Sequence, residues 1–294
     1  SNEIIVISSP GDRLLIQPII DELFDKSIHT PQKEYLFKLI YKNTWEFIDY
    51  KYYKNIIIAS INFPEDSTGD VLYQKFKKIY KQNSKLFQLN DLYAKNQKIT
   101  IMNGLDSIEF YKILNENKNW LIKENDLFFE NDLNNYVFKN GENIALSDSI
   151  FDLLGVSLRL QIDFKIIRVD TLSSFVWVGR GYPYRWITLN KSNNYNIKSH
   201  EDYWNQYIEE LKNNMPSVII TNHYRLIKKD KDNNAIIMRG IYEHDESNSG
   251  GPFVVYIFDT KDSNEVILIS GFVNHPGHDK MLLLKELEIM AQTL

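Results

Sequence analysis

Apolar residues in the first third of the chain fall into short dense runs separated by stretches with helical spacing. Residues 3–7 (EIIVI) precede the turn cluster Ser8-Ser9-Pro10-Gly11 and predict a buried strand. Leu15, Ile16, Ile19, Ile20, Leu23 and Phe24 then recur at helical intervals, with Asp12 as the expected N-cap and Pro18 as a kink or restart. Residues 35–41 and 55–61 read as further strands, with a short helix at 44–50 between them. A helix is predicted over 69–82, a fourth strand over 98–102, and a helix from Asp106 that turns Ile108, Tyr111 and Leu114 toward the core. Strand and helix alternate throughout, which favours a sheet covered by helices.

Residues 120–160 are mostly helical in pattern. One segment carries Phe128, Phe129, Leu133 and Val137; another runs 147–154, with Ser147 as N-cap and Gly155 at the C′ position. From Phe164 the period changes to two. Strands are expected at 164–169, 175–178, 184–189, 217–228, 235–242, 252–258 and 265–273, with a polar turn at 259–264. Ser199-His200-Glu201-Asp202 is a capping box opening a helix with Tyr203, Trp204, Tyr207, Ile208 and Leu211, stopped by Pro216. A last helix covers 280–291. The expected class is α+β. A sandwich-like α/β half (1–120) is joined by a helical bridge (121–160) to an antiparallel sheet with helices (161–294).

Composition narrows function more than it narrows fold. A net charge of −5 argues against a broad phosphate-binding surface, so no nucleic-acid partner is expected. The lysines at 75, 77, 78, 81 and 85 read as the solvated face of a helix. The absence of cysteine removes disulfides, thiol nucleophiles and thiolate metal sites. No run of about 18 apolar residues is present to span a membrane as a helix. The chain opens at Ser1-Asn2-Glu3 without an initiator Met or signal peptide, and a removed leader, a trimmed start and a tag remnant all account for that.

Candidate chemistry gathers at one expected sheet edge. If 235–242, 252–258 and 265–273 form two successive hairpins, the loops at 244–251 and 274–279 become neighbours, and loops on a rigid sheet often carry function. Together they hold His244, Asp245, Glu246, Gly250, Gly251, His275, His278 and Asp279. Three imidazoles with carboxylates are donors suited to zinc. The preferred reading is plainer: a polar glycine-rich turn pair whose histidines are solvated or cap the last helix, with no metal and no other cofactor. Gly250-Gly251 is expected to supply a turn at positive φ and close backbone approach; it opens a strand, unlike a phosphate loop, which opens a helix. Tyr182, Tyr184 and Trp186, beside Arg180 and Arg185, have the make-up of a stacking surface for a sugar, base or peptide, and equally of a hairpin face. No Gly-x-Ser-x-Gly or His-Glu-x-x-His occurs, and no catalytic residue is nominated.

Gly250-Gly251-Pro252-Phe253-Val254 with Tyr256, then Gly271-Phe272-Val273, Pro276-Gly277, Lys280 and Leu287-Glu288-Ile289, carry a family likeness. Asn2-Glu3, Asn55-Ile56, Gln97 and Phe175-Val176-Trp177 agree more loosely. The chain resembles an uncharacterised group of Bacteroidota cell-envelope lipoproteins defined by the domain of unknown function 4837. The resemblance implies an exported chain, periplasmic or on the outer membrane, with membrane association only through a lipid anchor that this chain lacks and an envelope protein as partner. His275 and His278 are not part of that pattern. The second half also resembles, in layout, the PsbP and Mog1 type of α+β sandwich, mostly binding and assembly modules. Three functions are therefore carried forward. The leading one is a non-enzymatic binding or assembly factor of the envelope. The alternatives are an enzyme, a metal-dependent hydrolase among its forms, on the loops at 244–251 and 274–279, and a carbohydrate-binding surface on Tyr182, Tyr184 and Trp186.

Overall fold

Every residue of Asn55–Ile61 and of Lys98–Gly104 is buried, as expected of strands covered on both faces in the middle of a mostly parallel sheet. The computed structural model describes residues 2–61, 66–193, 199–230, 234–245, 249–259 and 265–294. The expected turn at 259–264 lies outside these residues beyond Asp259, as do Glu246 and its two successors. The fold is α+β, and the chain divides into two units: Ser1–Ser27 with Tyr35–Asp132, and Ile28–Glu34 with Leu133–Leu294.

In the first unit β1 (Glu3–Ile7) leads into α1 (Pro10–Leu23). The short β2 (Ser27–His29) and β3 (Lys33–Tyr35) pair with each other and lie almost wholly in the segment assigned to the second unit, after which β4 (Lys38–Lys42), α2 (Phe47–Tyr50), β5 (Asn55–Ile61) and α3 (Thr68–Ile79) resume the first. The unit continues through β6 (Leu86–Asn90), β7 (Lys98–Gly104) and α4 (Ser107–Glu116) into α5 (Lys118–Val137), within which the division falls. Its sheet has the order β4-β1-β5-β7-β6, with β6 antiparallel and the others parallel. Ile5, Ile7, Ile56, Ile58, Ile99 and Ile101 form its core with Tyr73 and Phe76 of α3. Two sequence expectations change. Ser9, not Asp12, caps α1: its hydroxyl accepts from the Asp12 amide at 3.1 Å, and Pro10 sits in the first turn, where its missing N–H costs nothing. The single strand expected over 35–41 is broken, with Tyr35 ending one strand and Lys38 starting another.

The second unit contains α6 (Ile144–Leu154), β8 (Lys165–Asp170), β9 (Phe175–Arg180), β10 (Tyr184–Asn193), α7 (His200–Asn214), β11 (Val218–Asp230), β12 (Ala235–His244), β13 (Ser249–Asp259), β14 (Glu265–Asn274) and α8 (Met281–Ala291). All seven strands pair antiparallel in the order β11-β12-β13-β14-β10-β9-β8. The expected capping box at Ser199 and Asp202 opens α7. Asn143, rather than Ser147, caps α6, while Gly155 ends it at φ 65°, the left-handed position that favours glycine. Strand alternation sends side chains to opposite faces. Phe253, Val255, Ile257, Leu268 and Phe272 pack with Trp204, Tyr207 and Leu211 of α7. On the other face α8 approaches so closely that a Cβ on Gly271 would lie 2.9 Å from the Leu287 Cβ.

Candidate functional site

The two hairpins bring the suspected loops together. His244 pairs with Ser249 and Tyr242 with Gly251 across β12 and β13, while Asn274 ends β14 opposite Tyr184. The amide of Asp245 donates to the Ser217 carbonyl at 2.9 Å, fixing the far side of the same edge. A pocket of about 630 Å³ opens there, lined by His244, Asp245, Gly250, Gly251, His278 and Asp279 among others, with Pro31 and Gln32 on its rim. That volume lies within the range of ligand sites. The Nδ1 of His244 is closed off from solvent and has no hydrogen-bond partner.

The glycines shape this pocket through proximity. Neither Gly250 nor Gly251 is at positive φ, contrary to expectation; Gly277 is, at 74°. A Cβ at Gly250 would run into the Tyr242 carbonyl, and one at Gly251 into the Val273 carbonyl. The floor is held further by the Tyr242 hydroxyl, which donates to the Val273 carbonyl at 3.3 Å.

His278 also links the pocket to an aromatic tract. Its ring stacks on His275 at 4.5 Å, and His275 meets Tyr182 at 5.2 Å. Tyr182 and Tyr184 are 5.8 Å apart at 85°, and Tyr184 and Trp186 6.5 Å apart at 34°. The three rings form a stepped surface rather than one plane, with Tyr182 57% and Tyr184 45% exposed. Thus His244, Asp245, Gly250, Gly251 and His278 line the pocket, while His275, Tyr182, Tyr184 and Trp186 continue from it. Among the described residues no group of three His, Cys, Asp or Glu side chains is placed to hold one metal ion.

The start of α8 is capped by a residue that sequence reasoning passed over. Expectation put a histidine there. Instead Glu34 accepts from the amides of Lys280 and Met281, both at 2.7 Å, and is itself held by the Thr30 hydroxyl at 2.6 Å. A carboxylate at a helix start is favoured by the dipole. Nothing local in the sequence signals a cap supplied from 246 positions away.

Buried charge also escaped the sequence reading. In the second unit Glu288 is 2% exposed. Burial would raise its carboxyl, but Lys285 and Arg239, at 2.8 and 2.6 Å, overcome that and bring it down to about 2. In the first unit Asp12 is fully buried beside Gly69, near the carboxyl ends of β1 and β5. Neither of its carboxylate oxygens has a well-formed hydrogen bond. Burial pushes the Asp12 carboxyl up to about 6; Ser9 and the Ile61 amide oppose the rise, and Asp66 and Asp70 add to it.

Two family models match the chain. One, a domain of unknown function (DUF8532), covers residues 1–136; the other, a domain of unknown function (DUF4837), covers residues 144–293. The likeness seen in the C-terminal glycine-proline blocks falls inside the second match, whereas Asn2-Glu3, Asn55-Ile56 and Gln97 fall inside the first. No curated protein matches the chain. Among solved structures, a crystal structure from Bacteroides thetaiotaomicron VPI-5482 is similar at 10% identity with a TM-score of 0.26. The match covers 46% of this chain, which spans only 43% of that neighbour's length.

Proposed function

The chain belongs to the DUF4837 family, and from that premise we propose that it is a non-enzymatic binding or assembly factor of the bacterial cell envelope. The observation that carries this reading is the pocket at the β12–β13 and β14–α8 edge, continued by the exposed rings of Tyr182 and Tyr184. A concave site bordered by exposed tyrosines has the make-up of a protein-recognition surface, where aromatic anchors enter pockets and the surroundings exclude water. The partner would be an envelope protein that inserts a loop or terminus into the pocket beside Gly250 and Gly251. Among the described residues no helix is long and apolar enough to cross a membrane, which is compatible with tethering through a lipid.

The competing reading is hydrolysis at the same loops. A metal-dependent version needs several of these imidazoles and carboxylates around one ion, an arrangement not found among the described residues. Affinity capture from envelope extracts of the source cells, run beside a broad hydrolase panel, separates the two. The binding reading expects a stoichiometric partner and no turnover. Turnover with no partner would overturn it.

A further inference from the structure

On the second unit's sheet, Arg180 of β9 and Arg185 of β10 stand directly opposite each other. Like charges opposed across strands are destabilising. Each guanidinium is matched by one carboxylate: Arg180 by Asp163 at 2.8 Å, and Arg185 by Glu286. Both arginines retain an Nε–H with no acceptor, and the side-chain oxygen of the buried Gln161 has no donor. These groups line a separate cavity of about 430 Å³, together with Lys139, Pro183 and the exposed Tyr136. Lys139, Arg180 and Arg185 against Asp163 and Glu286 leave it one positive charge in excess.

We propose that this cavity binds a small monocarboxylate carrying a hydroxyl or amine on the first or second carbon from the acid group. The carboxylate would accept from the two guanidinium groups and relieve their repulsion, and the neighbouring donor would face Gln161. Planar guanidinium groups are suited to carboxylates, and hydrogen bonds between charged partners are the stronger kind. A single excess positive charge balances a monoanion and disfavours a phosphate dianion. The cavity grades from Arg180, a quarter exposed, to Arg185, only 5% exposed, so that a ligand meets the accessible charge first. Burial, and then Arg180, depress the Arg185 guanidinium to about 10, and a bound anion would reverse that shift. The site is independent of the pocket at His244 and stands whether or not that pocket binds a protein.

The test is titration of the purified chain with glucuronate, lactate, glucose and inorganic phosphate at constant ionic strength, followed through the arginine Nε–H resonances in nitrogen-15 NMR and by calorimetry. Glucuronate or lactate should shift the Arg185 resonance saturably, while glucose and phosphate leave it in place. Arg180→Gln, at a partly exposed position, should weaken that binding by about tenfold or more, as loss of a charge-assisted contact implies. A matched Lys212→Gln variant on the outer face of α7 should bind as the unaltered chain does. The proposal is overturned if neither carboxylate gives a saturable shift, if phosphate binds as tightly as they do, or if Arg180→Gln, shown folded by its spectrum, binds undiminished.

Discussion

Asp12 in the first unit and Glu288 in the second are both shut off from solvent, yet they titrate in opposite directions. Asp12 lies near the carboxyl ends of parallel strands with no basic partner among the described residues and is raised to about 6. Glu288 lies under an antiparallel sheet between Arg239 and Lys285 and is lowered to about 2. Burial acts the same way on both; the partner decides the sign. The second unit uses its buried acids, Glu286 and Glu288, to hold α8 to the sheet. The first unit carries a buried acid that its own packing does not explain.

The strongest way to break this contrast is to remove the paired acid. Glu288→Gln leaves Arg239 buried without its counter-charge and should cost the second unit about 3–5 kcal/mol. Peptide-resolved hydrogen exchange reads this separately for each unit, and the first unit should not change. A loss below about 1 kcal/mol would mean that the pair contributes little.

Removing the unpaired acid should do the reverse. Asp12→Asn relieves the charging penalty at pH 8 and should stabilise the first unit by about 1–3 kcal/mol, with no gain near pH 3. The sign follows from the raised pKa: the folded state holds its proton longer, so the Asp12 contribution is full below about 3.8 and is lost as pH rises through about 6. Glu288 behaves oppositely, with its contribution present above about 4.5 and lost as pH falls toward about 2. Exchange protection between pH 4 and 7 should therefore decline with pH in the first unit and not through Glu288 in the second. Parallel slopes caused by these two residues would refute the contrast.

A smaller effect tests how α8 is held at its start. Glu34→Gln weakens two charge-assisted hydrogen bonds to the Lys280 and Met281 amides and should cost about 0.5–2 kcal/mol, seen as faster exchange in the first turn of α8.

What was legible in the sequence was whatever local pattern dictates. Period-two segments with turns between them gave the order of the second unit's hairpins, and that order alone brought His244 and His278 to one edge. The capping box at Ser199 and the glycine after Leu154 were readable for the same reason. Strand β6 was missed because it is a five-residue edge strand that pairs antiparallel with β7, and β2 and β3 because three residues each make no pattern. Arg239 and Glu288 lie 49 positions apart, and Arg180 and Arg185 face each other only through register. No local pattern encodes such meetings. Gly250 and Gly251 were read correctly for close approach and wrongly for φ, since both demands select the same residue.

We propose that the second unit recognises a protein at the strand-end pocket. The most direct measurement is photo-crosslinking in the source cells with benzoyl-phenylalanine at position 278, on the pocket wall, and at position 229, at the opposite end of the sheet. One discrete protein adduct is expected from position 278 and none from position 229. The same adducts from both positions, or none from position 278, would contradict the proposal.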